Sequence, residues 1–584
     1  MDRKSLLIVI VSLALLFGAW SVVDHFYPPV PRPQMSAQVQ QTNAISTSSE
    51  TATTTANIPS PASPISSSIS TAGPEQTLVV TNEQLLLHFT SRGGGLKWIQ
   101  LKGYPAIILP GKQSQETNLA CLGIGAQVPT LAVFGGDQIT GDNNFTLSQN
   151  GNVVRAEKTL TNGLRVIKEF QIGTNYMLDA KVRFENTSSK PIGLPVQHVI
   201  VGTATPMNHV EDSTMVGTLW YNGSKMEEVG VPWFVNSSFG GCGKSNPRYL
   251  YQGGAGNVQW VAVHNQFFTL AAMPSTNAPQ VSVTSVPLAS MPFTAKLITN
   301  GLQAAFTYPP AMVEPGKVLE RDYKFYAGPK EYNRLAQIGN KMGNNLDLIM
   351  NFGFFGFFSK ILLLSMNAVH VTGLSYALCI IVITIIIKLV FWPLTNASTK
   401  SMKRMQEFQP QMKAIADKYK DDPNKKNQKT MEFMKEHKIN PLGGCLPMLL
   451  QIPVLFGFYM MIRGAIELRG ATFLWAFDLS QPDTVAVIGG IPLNILPILM
   501  ALTMIWQTGL TPASPGMDPT QQKIMRWGMP VMMLFFLYKI SSGLTLYWTV
   551  QNLLTIAQTK ITKTNDTDTS GQKTNPVVPA KKKK

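Results

Sequence analysis

Apolar runs that approach the thickness of a bilayer cluster at the two ends of this chain, and residues 24–351 between them hold none. A helix needs roughly 20 consecutive apolar residues to cross a hydrocarbon core. Residues 6–23 form the first such run, behind Arg3 and Lys4. A cleaved signal peptide is the alternative there, because Ala19-Trp20-Ser21 resembles a small-x-small site. The length of the run favours a retained anchor. Later runs fall at 374–392, 445–462, 485–506, 528–538 and 544–557. The last two are short and joined by Ser541-Ser542-Gly543, which predicts a tight hairpin at the membrane surface. The aromatic run 352–364 reads better as a helix lying in the interface. Six spans are expected.

Lysine and arginine in the short loops set the orientation. Residues 397–440 carry 11 Lys/Arg against 6 Asp/Glu, so this loop is expected inside. Residues 463–484 carry two basic and three acidic residues and belong on the far side. Lys523, Arg526 and the tail Lys581–Lys584 return to the inside, which places both termini in the cytoplasm. The net charge of +16 is therefore a matter of loop placement rather than a nucleic-acid surface, and DNA is not expected as a partner.

A mean hydropathy of only +0.06 means that a large water-exposed part dilutes these runs. Residues 28–75, rich in Ser, Thr, Pro and Ala, cannot bury a core and read as a flexible linker. From residue 76 the pattern alternates, as in Leu85-Leu86-Leu87-His88-Phe89, and Asn162-Gly163 marks a hairpin. Residues 76–330 are expected to form a large antiparallel sandwich outside the membrane. Residues 331–372 carry a linker helix and the interfacial helix, and 373–396 the second span. Residues 397–440 form a cytoplasmic helical hairpin broken at Asp421-Asp422-Pro423-Asn424, 441–562 hold spans three to six, and 563–584 form a basic tail, after the anchor at 1–27. Four cysteines are too few for a disulfide scaffold and lack metal-ligand spacing, and whether Cys121 pairs with Cys242 stays open.

The residue most telling for function is Lys388, set in the apolar run Cys379-Ile-Ile-Val-Ile-Thr-Ile-Ile-Ile-Lys-Leu-Val-Phe-Trp. A charge inside a span is costly and usually faces a wet cavity or a partner. Snorkelling is the competing reading, since Trp392 lies one helical turn onward. Thr384 shares the Lys388 face, while Gln451, Gln551 and Asn552 interrupt other spans and Gln507 closes one. Singly, each is more often an interhelical hydrogen bond; together they suit a hydrated cavity open to the cytoplasm. In the basic loop, Met402, Met405, Met412, Met431 and Met434 offer polarizable contacts to varied apolar partners, or simply pack the hairpin against itself. No nucleotide-binding, paired-histidine or nucleophile-elbow motif is present, so no catalysis, metal or cofactor is expected. His198, His209 and His264 read as ordinary polar or packing residues. A solute transporter would need inverted repeats with matched broken helices, which are not seen. A sugar-modifying enzyme would need an acid/base pair that the sandwich does not display.

At several of these segments the chain resembles the YidC family, whose relatives include the mitochondrial and chloroplast insertases. The segments are Asn440-Pro-Leu-Gly-Gly-Cys-Leu-Pro-Met-Leu-Leu-Gln-Ile-Pro, Asp518-Pro-Thr-Gln-Gln-Lys-Ile-Met, Ser542-Gly-Leu-Thr-Leu-Tyr-Trp-Thr-Val-Gln-Asn and Phe391-Trp-Pro-Leu-Thr. The external region matches more weakly, best at Ser91-Arg92-Gly93-Gly94. The resemblance implies an α-helical polytopic membrane protein of six spans, five of them forming an insertase core around a hydrophilic groove. It also implies a periplasmic all-β supersandwich related to sugar mutarotase folds. It implies insertion and chaperoning of nascent inner-membrane proteins in a bacterial inner membrane, alone or with the Sec translocon. A ribosome and the signal-recognition machinery are implied partners beside the lipid bilayer. Lys388 takes the place of the groove's basic residue, usually Arg. Thr384, Tyr547 and Trp548 match positions lining the client's route, and Gln451, Gln551 and Asn552 match polar positions in or near the groove.

Overall fold

The computed structural model describes residues 74–108, 119–207, 215–234, 248–289, 300–419, 422–437, 446–510 and 523–561, with backbone alone for 399, 402–406, 423 and 446–450. These residues fall into two units, one drawn from Val30–Asn351 and the other chiefly from Phe352–Lys584. His209, Cys242 and Cys445, and the side chains of Met402 and Met405, lie outside the described residues.

The first unit is built on a nine-stranded antiparallel sheet. Its strands run in spatial order Met226–Gly230, Gly217–Tyr221, Trp260–His264, Phe268–Pro274, Val318–Pro329, Met177–Asn186, Leu164–Ile172, Val153–Thr159 and Thr146–Asn150. A five-stranded sheet, whose centre is Gln197–Ala204 and Asn300–Tyr308, packs on it, and a four-stranded sheet opens the domain. Alternation carries the fold: Leu178, Ala180, Val182 and Phe184 are buried while Asp179 and Lys181 between them face out. Full burial of a side chain such as Phe184 contributes roughly 1.5–3 kcal/mol. The Asn162-Gly163 turn lies between its two strands as expected. Gly163 adopts φ +82°, and Asn162 Oδ1 accepts from the Leu164 N–H at 3.0 Å. Helix α1, Tyr332–Met342, follows the last strand and ends at Gly343 in the left-handed region.

The second unit is helical. Its helices are α2 (Gly356–His370), α3 (Tyr376–Val390), α4 (Trp392–Glu407), α5 (Gln409–Lys418), α6 (Pro423–Glu436), α7 (Leu446–Gly464), α8 (Ile495–Leu510), α9 (Met529–Leu537) and α10 (Ser542–Ile561). Helix α10 packs against α3, α7 and α8, and α2 packs against α7. Gly457 permits that second approach, because a Cβ there would lie 2.8 Å from Phe358 Cβ; Ser359 Oγ donates to the Gly457 carbonyl at 2.9 Å.

Three expectations change. The run at 485–506 is not one helix: Thr484–Ile488 and Ile491–Asn494 form an antiparallel hairpin, and α8 begins only at Ile495. Gly489 and Gly490, at φ +57° and +81°, supply a two-residue turn that β-branched neighbours favour over a helix. The expected second span bends by 60° between Val390 and Trp392, where Pro393 cannot donate to the preceding turn. The basic loop holds three helices, not two. Its break is as read: the Asp422 side chain caps α6 by accepting from the Lys425 N–H at 3.0 Å. Among the described residues no single helix is long and apolar enough to cross a membrane; the bent pair Tyr376–Val390 with Trp392–Ser398 meets the length and composition together.

Candidate functional site

Helix α10 places Tyr547, Gln551 and Thr555 four residues apart, hence on one face. Each is met by a polar atom. Lys388 Nζ, from α3, donates to Thr555 Oγ1 at 2.9 Å, and the Thr555 hydroxyl donates back to the Gln551 carbonyl at 2.7 Å. Gln551 Nε2 donates to Gln451 Oε1 of α7 at 3.3 Å, and Gln451 Nε2 donates to the Tyr547 hydroxyl at 2.6 Å. The Tyr547 ring stacks on Phe458, centroids 4.1 Å apart. A polar seam thus runs from a lysine to a tyrosine across three helices, of which α3 and α7 are otherwise strongly apolar.

Lys388 is only 7% exposed, so its side chain turns into the bundle rather than extending along the helix exterior. Among the described residues a hydroxyl is its hydrogen-bond partner and no carboxylate pairs with it. An ammonium has three N–H donors, so this pairing leaves capacity for an incoming acceptor. An unpaired charge in an apolar bundle is expensive, and a carboxylate or backbone carbonyl arriving beside it lowers that cost.

The other expected residues are not all in the seam. Thr384 is fully buried and donates to the Ile380 carbonyl of its own helix at 2.6 Å. Asn552 turns the opposite way, donating to the Met500 carbonyl and Thr503 Oγ1 of α8 at 3.3 and 3.1 Å. Trp548 is half-buried. In the basic loop Met412 is buried against Phe408, Phe433 and Met434, so these two methionines pack the hairpin, whereas Met431 is 51% exposed. Sequence reading missed Thr555, and also Gln558, whose Nε2 donates to Thr395 Oγ1 at 2.6 Å. For Thr555 the four-residue spacing from Tyr547 and Gln551 was the available signal.

Comparison with known proteins places these units. Residues 77–364 match the family described as YidC periplasmic domain, and residues 367–569 that described as 60Kd inner membrane protein. The chain is similar to the membrane protein insertase YidC of Geobacter metallireducens, at 31% identity over 96% of this chain and 97% of that one. It is similar to that of Pelobacter propionicus at 31% identity over 96% and 98%. A solved structure of an active YidC insertase aligns over 84% of this chain and 94% of that one, at 16% identity and a TM-score of 0.33, a likeness that carries no weight by itself. Near-full-length identity at this level is decisive: the chain belongs to the YidC membrane protein insertase family.

Proposed function

We propose that this protein inserts nascent membrane proteins into a bacterial inner membrane and chaperones their folding, alone or with the Sec translocon. Residues 76–330 form its periplasmic domain, residues 397–440 its cytoplasmic receiving hairpin, and the six spans cross the bilayer with both termini in the cytoplasm. The ribosome and the signal-recognition machinery deliver clients to the basic hairpin, where exposed Met431 meets apolar side chains.

The observation that carries this reading is the seam of Lys388, Thr555, Gln551, Gln451 and Tyr547 inside an apolar bundle. In this reading it lines a cytoplasm-open groove. Polar flanks of a client exchange hydrogen bonds with the seam instead of losing water outright, which lowers the barrier to moving them partway across. Thr384, Trp548 and Asn552 shape the walls. Partitioning of the client's apolar residues into lipid supplies the drive, roughly a few tenths of a kcal/mol for each Leu-class residue. No nucleotide hydrolysis is needed.

The test is insertion of a small one- or two-span client into liposomes holding the purified full-length protein. Wild type and Lys388→Arg are expected to insert it, Lys388→Ala to be impaired, and Lys388→Glu to fail. Equal insertion by all four would remove the groove charge from the mechanism. No insertion by wild type would leave only an accessory role beside the translocon.

A further inference from the structure

The hairpin that replaces the first half of the expected fourth span is apolar on both of its faces. From Val485 to Leu493 the chain reads Val-Ala-Val-Ile-Gly-Gly-Ile-Pro-Leu, without a polar side chain. A two-stranded ribbon in water normally turns one polar face outward, since successive side chains point to opposite faces. Here Val487, Ile488 and Ile491 are 66%, 67% and 67% exposed, and no described residue covers them.

The base of the hairpin, by contrast, is tightly held. Thr484 Oγ1 donates to Asn494 Oδ1 at 2.7 Å, and Asn494 Nδ2 donates to the Tyr538 carbonyl at 2.7 Å. The Tyr538 hydroxyl donates to the Pro492 carbonyl at 2.6 Å. Asp483 Oδ2 accepts from the N–H groups of Ile495 and Leu496, at 3.1 and 2.7 Å, and from Trp475 Nε1 at 2.8 Å. The ribbon is therefore mounted rigidly on the start of α8, with its apolar tip projecting. Its second strand runs straight into α8, where Leu499, Leu502 and Trp506 are also exposed. The tip extends the apolar belt of that helix.

We propose that the Val485–Leu493 tip is a lipid-binding element seated in the headgroup and upper acyl region of the outer leaflet. The inference rests on the membrane orientation proposed above, which puts residues 463–484 on the external side. Depth follows from the backbone. A two-stranded ribbon leaves most of its edge N–H and C=O groups without a ladder partner, and these are not tolerated in the hydrocarbon core but find partners among headgroups and water. Apolar side chains with a polar-edged backbone match that zone and no other. Seated there, the tip holds the outer end of α8 at a fixed depth, so that the short helices on that side draw the leaflet toward them.

The experiment places the environment-sensitive dye NBD on Ile488→Cys. The background is full-length protein carrying Cys121→Ser, Cys242→Ser, Cys379→Ala and Cys445→Ala, reconstituted in phosphatidylethanolamine–phosphatidylglycerol liposomes. Client insertion confirms that each variant is folded. Leu502→Cys on the α8 belt and Ser224→Cys on an exposed turn of the sandwich are labelled in parallel. The Ile488 label is expected to show blue-shifted emission and loss of intensity with lipids bearing a shallow doxyl quencher, and little loss with aqueous iodide. Iodide quenching of Ile488 with lipid quenching of Leu502 overturns the inference and leaves the membrane reading standing. Protection of Ile488 from both quenchers also overturns it, in favour of a protein cover. Iodide quenching at both Ile488 and Leu502 sinks the membrane orientation itself.

Discussion

Lys168 in the sandwich and Lys388 in the helical unit are both buried without a paired carboxylate among the described residues, yet they are held in different ways. Lys168 is fully enclosed: Nζ donates to the Gly93 carbonyl at 2.6 Å and sits 4.4 Å from the centroid of Phe145. Its partners are a backbone carbonyl and an aromatic face, neither of which can be exchanged. Burial, with the neighbouring Lys158 ammonium adding to it, lowers the Lys168 pKa to about 7. Lys388 meets a threonine hydroxyl at the end of a line of polar side chains. The first lysine clamps a turn; the second ends a seam that an incoming chain can rearrange. Burial of a charge alone therefore does not mark a functional residue, and the partner's chemistry is what separates the two cases.

The same substitution at both lysines sharpens that contrast most. Lys388→Met removes the charge that an incoming acceptor would meet, a charged hydrogen bond worth roughly 1.5–3 kcal/mol, so client insertion should slow about tenfold or more. Equal insertion rates for wild type and Lys388→Met would erase the distinction. Next in size is Gly94→Ala, which strikes the turn that Lys168 clamps. Gly94 sits at φ +56°, and a Cβ there would lie 2.5 Å from the Phe145 ring. A loss of roughly 1–3 kcal/mol in sandwich stability is expected by denaturant unfolding of the full chain, with insertion little changed.

The Lys168→Met variant reads out through pH. The Lys168 pKa is lower in the folded state than in the unfolded chain, so between about 7 and the ordinary lysine value of about 10.4 the unfolded chain binds the extra proton. Wild-type stability should rise with pH across that window, by up to roughly 1.4 kcal/mol per unit, and level off below it. Lys168→Met should lack this slope; an identical slope in both would mean that the lysine is not the group responsible. The smallest effect is expected for Tyr547→Phe, which keeps the stack on Phe458 but leaves Gln451 Nε2 without its acceptor. Loss of one such bond costs about 0.5–1.5 kcal/mol, visible as a few-fold slower insertion.

Much of both units was legible beforehand. The alternation along Met177–Asn186, the Asn162-Gly163 turn and the Asp422-Pro423 helix start are local signals, and local chemistry realises them. Lys388 stood out because charge in an apolar run is costly wherever it points. The 485–506 run misled because hydropathy sums side chains without regard to backbone conformation, and two adjacent glycines were enough to turn its first half into a ribbon. Thr555 escaped because a threonine in an apolar helix ordinarily bonds to its own backbone, as Thr384 does.

The sequence by itself determined that a large β domain is followed by apolar helices and that one lysine lies among isoleucines, because these follow from side-chain type and order along the chain. Only the tertiary structure decided that Lys388 meets Thr555, that Gln451 bridges Gln551 and Tyr547, and that Asn552 turns away toward α8. Spacing fixes which residues share a helix face, but the rotation of each helix against its neighbours, set by packing, chooses the partner that face meets.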